Sequence, residues 1–577
     1  MRLSSSRSSS IFLNHIRLFL VLFLSTLSLS VESLYGAEVG TFVVRKTKSL
    51  SSQIKKPGGR YVIKHDFDLN GGELRVPDAC TLVFKGGRIT NGIVTGQNTV
   101  VEAAKKTIFI DVHIKGCFMN DKVYSQWFDL KEGDHDNRPT FDAMMAMADN
   151  GSYCDVFIQK GNYFTSVGTH AKGISIPSRT YVHNAACIMA LPTDLAKYDI
   201  ISMSNVSEAT FDGGRIIGDV GRHKGDTGEW GYGIGLTGAR DCVIKNVHVS
   251  RCWGDGINIQ ALYSDYENNT IEGHCYDIKI EHVVCDDNRR QGMSIEGAIG
   301  VYVSDSQFLN TGVTESTAPS AGIDIEPWYA TEIVSNVVIS RCEFRNNKGG
   351  NLIAPFTRDQ WNGGKCRHFM ISDNVFDDCI LRFNRCRDLI IRNNVIGESD
   401  GRLEFNQYQG VSILSNTING SVAVYSEGDS YGGNMSDNQI RGKKRLSLAL
   451  DTVSDNKIEG VILFQESRKC VLTGNIIDST GIPDSEHSLV CDNASLTVYS
   501  NHFKLDKPMI FRFKSNCKIH DNVFEQMGVV TPACLIMQTA RNIGLKYDAE
   551  IHDNEMKGNG RFWVNYSANG KYSVSHD

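Results

Sequence analysis

Ile371-Ser-Asp-Asn-Val-Phe376, Ile391-Arg-Asn-Asn-Val-Ile396, Ile413-Leu-Ser-Asn-Thr-Ile418 and Met435-Ser-Asp-Asn-Gln-Ile440 are one six-residue frame with asparagine always in the fourth place. It continues at Val453-Ser-Asp-Asn-Lys-Ile458, Leu472-Thr-Gly-Asn-Ile-Ile477, Val498-Tyr-Ser-Asn-His-Phe503, Ile519-His-Asp-Asn-Val-Phe524 and Ile551-His-Asp-Asn-Glu-Met556. The asparagines Asn374, Asn394, Asn416, Asn438, Asn456, Asn475, Asn501, Asn522 and Asn554 are mostly 18 to 26 residues apart, which is the period of a solenoid coil. Asparagine tolerates left-handed backbone at a tight bend, and its amide can bond to the asparagine of the next coil as a ladder. Solvated loop residues would not keep one frame through so many recurrences. Earlier coils carry Asn246, His282, Ser306 and Cys342 in the same place.

Working back toward the N-terminus, four segments align: Tyr232-Gly-Ile-Gly-Leu-Thr237, Asp255-Gly-Ile-Asn-Ile-Gln260, Gln291-Gly-Met-Ser-Ile-Glu296 and Ala321-Gly-Ile-Asp-Ile-Glu326. Each has glycine second and then alternates apolar with mostly polar residues, the period of a strand with one face buried. The apolar set is Ile234/Leu236, Ile257/Ile259, Met293/Ile295 and Ile323/Ile325; the outward columns read Gly235, Asn258, Ser294, Asp324 and Thr237, Gln260, Glu296, Glu326. Stacked in order, these strands bring Asp255, Glu296, Asp324 and Glu326 together on one exposed sheet face. The gaps from Asn246 to His282, Ser306 to Cys342 and Cys342 to Asn374 widen to 36, 36 and 32 residues, so long loops leave the coils that carry the acids. Loops on a rigid scaffold are where binding concentrates.

The rest of the chain frames this region. Arg2, Arg7 and Arg17 with the apolar run Leu18–Ser30 form a secretory signal peptide over residues 1–37, cleaved after Ser30 or Ala37, and too short for a membrane span. The mature protein is therefore expected outside the cytoplasm, as a periplasmic, secreted or cell-surface protein without stable membrane insertion. Residues 38–125 read as a β-rich leader, with strands at Gly58–Ile63, Thr81–Phe84 and Thr107–Ile114. Pro139–Ala148, proline first and apolar on one stripe, reads as a helix capping the open end of a solenoid over residues 126–577. A net charge of −6 and no basic run exclude a nucleic-acid partner. Of 16 cysteines most fall at strand positions as small apolar residues, and no C-x-x-C pair marks a metal site.

The asparagine-bearing coils, with Cys252-Trp-Gly-Asp-Gly-Ile-Asn-Ile259, resemble the right-handed parallel β-helix proteins of the pectate-lyase-like superfamily. These include polygalacturonase-type hydrolases, pectate and alginate lyases, epimerases and phage tailspikes. Pro57-Gly-Gly-Arg-Tyr61 and the Trp127 to Pro177 region look like the opening of exported members from polysaccharide-degrading bacteria. The likeness covers most of residues 126–577 and implies an all-β, right-handed parallel β-helix acting on a polysaccharide, as monomer or homotrimer. It does not choose the reaction. Of the polygalacturonase motifs only Asp255 in Gly254-Asp-Gly256 is similar, and Gly322-Ile-Asp-Ile-Glu-Pro327 is similar to an epimerase strand whose following histidine is missing here.

Rungs about 4.8 Å apart set Glu296 beside Glu326, so one of the pair should hold a proton. Asp324 lies two residues from Glu326, roughly 6.6 Å at the backbone, and Asp255 lies roughly 10 Å away, two rungs off. Such spacings suit an inverting glycosidase. The first expectation is therefore a glycoside hydrolase with Glu326 or Glu296 as acid and Asp324 with Asp255 orienting water. Trp230, Trp253, Trp328 and Trp361 offer rings for sugar stacking, and Asn258, Gln260, Arg290 and Tyr329 offer contacts to substrate. Nearby Arg289, Arg341, Arg358, Arg367, Arg382 and Arg385 keep a uronate lyase or epimerase open, in which the acids bind Ca²⁺ and Arg290 or His282 sits at the sugar proton. The third reading is a non-catalytic glycan-binding or structural β-helix.

Overall fold

The computed structural model describes residues 40–558 and 572–574, apart from 170–171, 427–429, 466–468, 483–486, 493–494, 514–516, 528–534 and 540–548. The signal peptide expected over residues 1–37 lies outside the described residues. Two compact units divide the chain: one runs to Ala104 and takes in Ile108–Met119, and the other takes Lys105–Thr107 and everything from Asn120 on.

In the smaller unit the leader strands pair in parallel. Strand Arg60–Ile63 lies against Thr81–Phe84, which lies against Ile89–Glu102, and the last also pairs with Phe109–Phe118. Tyr61, Leu82, Val94 and Phe118 fill its interior.

The larger unit is one continuous parallel winding in which the chain returns to the same face once per coil. Parallel strands joined by crossovers wind right-handed, so the fold is a right-handed parallel β-helix. The helix Arg138–Ala148 has proline in its first turn, buries Phe141, Met144 and Met147, and packs on the first strands of this unit, Lys122–Tyr124, Cys154–Ile158 and Ile174–Ser175. Apolar side chains stack along the interior, as Phe308, Phe344 and Phe376 do at ring-centroid distances of 5.1 and 4.7 Å. The cysteines whose side chains are described are free. Among the described residues no helix is long and apolar enough to cross a membrane.

The asparagine ladder is real, but its geometry differs from the expectation. Asn374 Nδ2 and its backbone N–H both donate to Asn394 Oδ1, at 3.0 and 2.9 Å, and equivalent pairs of bonds link each asparagine onward to Asn554. The left-handed position is the residue before, with φ of 60° at Asp373 and 58° at Asp437. From Asn374 to Asn522 the asparagine itself turns inward and is buried. In the early coils the frame therefore shifts by one. Asn246 and His282 occupy the left-handed position, with φ of 54° and 53°, while Val247 and Val283 are buried in the ladder column. Ser306 and Cys342 are in the column, since Ser306 Oγ accepts from the Val283 amide and the Cys342 amide donates to Asn374 Oδ1.

Candidate functional site

Six strands of one face build the site: β1 (Lys197–Ser204), β2 (Trp230–Thr237), β3 (Asp255–Gln260), β4 (Gln291–Ile295), β5 (Ala321–Ile325) and β6 (Gly350–Pro355). Ile234 lies against Ile257, then Met293, Ile323 and Leu352, and the polar column Gly235, Asn258, Ser294, Asp324 stacks alongside.

Strict alternation would send Asp255 and Gln291 inward with Ile257 and Met293, yet both side chains reach the polar column. Ser294 Oγ donates to Asp255 Oδ2 at 2.6 Å, and Gln291 Nε2 donates to Asp324 Oδ2 at 2.9 Å and Glu326 Oε1 at 3.1 Å. A glycine follows each. A Cβ on Gly292 would lie 2.4 Å from the Gly322 carbonyl oxygen, so the rungs approach closely at this column.

The acids do gather, but the face is not exposed. Asp255 and Asp324 are fully buried and Glu296 is 3% exposed. Two inserts meet Glu296: the hairpin Leu262–Asp265 with Thr270–Gly273, and residues 326–333, both of which line a cavity with it. Arg290, itself buried, holds the cluster together, with Nη2 2.6 Å from Glu326 Oε1, Nη1 3.5 Å from Asp255 Oδ2 and Nε 4.0 Å from Glu229 Oε2. Burial pushes the Asp255 carboxyl up to about 7 against the pull of Arg290. Burial and then the Glu326 charge push Asp324 well above the carboxylate range. A guanidinium and an amide thus bridge these acids. Among the described residues no three His, Cys, Asp or Glu are placed to hold a metal ion.

Beside this cluster opens a cavity of about 400 Å³. Its walls are aromatic: Trp230 and Tyr232 from β2, Tyr263 and Tyr266 from the hairpin, Trp328 and Tyr329 from the segment after β5. Lys197, Gln260, Glu296 and Glu332 supply its polar groups. Asn258 Nδ2 donates to Glu296 Oε1 at 2.7 Å and fixes that oxygen. Burial, then the charges of Glu326 and Glu332, hold Glu296 well above the ordinary range, which favours its protonated form. Glu332 is held differently. The Tyr263 hydroxyl donates to Oε1, and the amides of Trp328 and, at 3.1 Å, Tyr329 donate to Oε2. Burial raises it, and these three bonds pull the other way without cancelling the rise. Burial pulls the Lys197 ammonium down against the nearby Glu296 charge.

Of the residues singled out in the sequence, Glu296, Gln260, Trp230, Trp328 and Tyr329 line the cavity. Asp255, Asn258, Arg290, Asp324 and Glu326 lie outside its lining, where they hold one another and, through Asn258, Glu296. Trp253 is no stacking platform: it is 5% exposed, with the His223 ring 3.9 Å from one face and the Arg289 guanidinium 3.8 Å from its ring centre. Trp361 is equally buried, under Arg387. His282 is at a bend between Cys275–Glu281 and Val284–Asp286 and does not line the cavity. Arg341 and Arg382 are paired with Asp305 and Glu404. Glu332, Lys197, Tyr232, Tyr263 and Tyr266 were not singled out; the available signal was the density of aromatic residues in the two inserts, Tyr263, Tyr266, Trp328 and Tyr329.

Residues 150–338 match the family model described as a right-handed beta helix region. The chain is similar to the SPbeta prophage-derived uncharacterized protein YorA of Bacillus subtilis (strain 168), 25% identical over 325 residues, which are 53% of this chain and 52% of that protein. It is also similar to the uncharacterized protein YclG of the same organism, 25% identical over 386 residues and 62% of each chain. The chain thus spans about half to three fifths of the length of these relatives. Among solved structures it is similar to the A-module of the mannuronan C-5 epimerase AlgE6 of Azotobacter vinelandii, with 14% identity, a TM-score of 0.42, and 79% of this chain and 100% of that one covered.

Proposed function

We propose that this protein is a polysaccharide-active enzyme, a glycoside hydrolase whose reaction takes place in the cavity over β2 to β5. One observation carries the reading: two buried carboxyls held by different partners, Glu296 and Glu332, share a cavity walled by six aromatic side chains. Aromatic faces take up the apolar faces of pyranose rings, and hydrolysis of the linkage between rings needs one carboxylic acid and one carboxylate. Glu296, whose burial favours the protonated form, is the general acid for the leaving oxygen. Glu332, with three donors on its oxygens, is the carboxylate. Asn258 and the Arg290 cluster beneath orient Glu296. This reading keeps Glu296 from the acidic columns and moves Asp255, Asp324 and Glu326 into support.

A polysaccharide lyase is the second reading, and Lys197 favours it. An amine whose charged form burial disfavours, on the wall of a sugar cavity, can serve as the base that takes the proton next to a uronate carboxyl.

The test is a screen of the chain against pectin, alginate, xylan, laminarin and chondroitin sulfate, following reducing ends and near-ultraviolet absorbance together. New reducing ends without absorbance, lost in Glu296→Gln and Glu332→Gln, support the hydrolase. Absorbance lost in Lys197→Ala supports the lyase. Binding of a polymer with no product from any would leave a glycan-binding protein and end both catalytic readings.

A further inference from the structure

The walls of the cavity say how a polymer enters it, an inference that rests on the cavity being the catalytic site. The hairpin and the segment after β5 are fastened to each other across the site. Tyr263 donates its hydroxyl to Glu332. The rings of Tyr263 and Tyr266 each meet Tyr329 edge-on at 5.9 Å, and meet one another at 5.3 Å. The circuit returns to the sheet on its far side, where Lys197 Nζ of β1 lies 5.7 Å from the Tyr266 ring centre. Contacts therefore run from β1 over the hairpin to residues 328–332, past Glu296 on the floor. A chain bound along an open groove would have to cross this circuit. The cavity, about 400 Å³, is near the lower end of small-molecule pockets and takes a short saccharide rather than a run of many sugars.

We infer that the enzyme is chain-end-directed: the terminal one or two sugars of the polysaccharide enter the cavity, and Tyr263, Tyr266 and Tyr329 form the wall that stops the chain from passing through. Cleavage at Glu296 and Glu332 then releases one short saccharide per event. The bond broken is the glycosidic C–O bond; water supplies the hydroxyl to the anomeric carbon and, by way of the carboxyls, the proton to the leaving oxygen.

The experiment uses the polymer that the full chain cleaves in the screen, with product sizes separated by chromatography and viscosity followed in parallel. A single mono- or disaccharide from the earliest time points, with viscosity nearly unchanged, is expected. Tyr266→Ala, and a second variant with residues 262–273 replaced by a short glycine turn, should lose that single early product and release intermediate lengths with a fall in viscosity. A ladder of intermediate lengths from the unaltered chain overturns the inference while leaving the hydrolase standing. The same single early product from both variants also overturns it, because the wall would then set nothing. No product from any polymer overturns the catalytic reading and this inference with it.

Discussion

Asn258 Nδ2 is 2.7 Å from Glu296 Oε1 and 3.0 Å from Ser294 Oγ, so one buried amide reaches both side chains on the next coil. It fixes the orientation of the carboxyl that faces the cavity without contributing charge. Asn258→Leu keeps the volume and removes the donors. We expect kcat to fall by roughly the 10²-fold low end of what a displaced general acid costs. Glu296→Gln should cost as much or more. Stability should fall by about 1–3 kcal/mol through the unpaired partners. Unchanged kcat in Asn258→Leu, with the melting temperature lowered, would mean that the amide is only structural.

Buried acids also set how stability depends on pH. In the folded chain Asp255, Glu296, Asp324 and Glu332 all hold protons to higher pH than in the unfolded chain. Between about pH 4 and 7 the folded state therefore binds more protons, and stability declines as pH rises through that window. For Asp255 alone, raised from 3.8 to about 7, the loss is on the order of 4 kcal/mol. Asp255→Asn should match the unaltered chain near pH 4 and exceed it at pH 8 in urea titrations. Equal pH slopes for the two proteins would refute the assignment.

The ladder makes a different prediction. Asn438 donates to Asn456 Oδ1, to the Ile413 carbonyl and to the Ser436 carbonyl, and its own Oδ1 accepts two bonds from Asn416. Asn438→Leu leaves buried donors and carbonyls without partners, and each such group costs about 1–3 kcal/mol. We expect a loss of several kcal/mol. In a solenoid it should register first as faster amide hydrogen exchange in the coils on either side. Uniform exchange along the whole chain would show that the coils do not open locally.

The sequence was legible where the coil repeats. The columns Ile234, Ile257, Met293, Ile323 and Gly235, Asn258, Ser294, Asp324 stack as their alternation predicts, because a one-residue slip would turn the core outward. The asparagine frame reads equally well from Asn374 on, where each residue bonds to its copy. It slips by one at Asn246 and His282 because the bend and the buried site are adjacent and both accept polar residues, so spacing alone does not tell them apart. Asp255 reaches the polar column to bond Ser294, although a strict period of two would send it inward. Glu332 and Tyr263 were illegible for another reason. Each lies in an insert with no counterpart in other coils, and they meet 69 residues apart only after the scaffold has brought the inserts together.

Trp253 separates structure from recognition. Sandwiched between His223 and Arg289, with its Nε1–H donated to the Thr227 carbonyl at 3.3 Å, it anchors the loop leading into β2. Trp253→Ala should cost about 3–5 kcal/mol of stability. Trp328→Ala, at a residue 48% exposed on the cavity, should leave the melting temperature nearly unchanged and raise KM. The reverse pattern would return Trp253 to the binding site.

Tyr263→Phe tests the role of Glu332. The Tyr263 hydroxyl is the largest influence lowering the Glu332 carboxyl against its burial, so removing it should let that carboxyl rise further. A hydrogen bond to a charged group contributes about 1.5–3 kcal/mol, equivalent to roughly one to two pH units. If Glu332 is the working carboxylate, activity requires it deprotonated, and the acidic limb of the kcat/KM profile reports its titration. Tyr263→Phe should therefore move that limb to higher pH by one unit or more, while the rate on the alkaline side of the limb stays close to the original. A purely structural role for Tyr263 would lower the rate evenly at all pH values and leave the limb in place. That outcome would remove Glu332 from the reaction and leave Glu296 to act with another base, Lys197 being the group on the same wall.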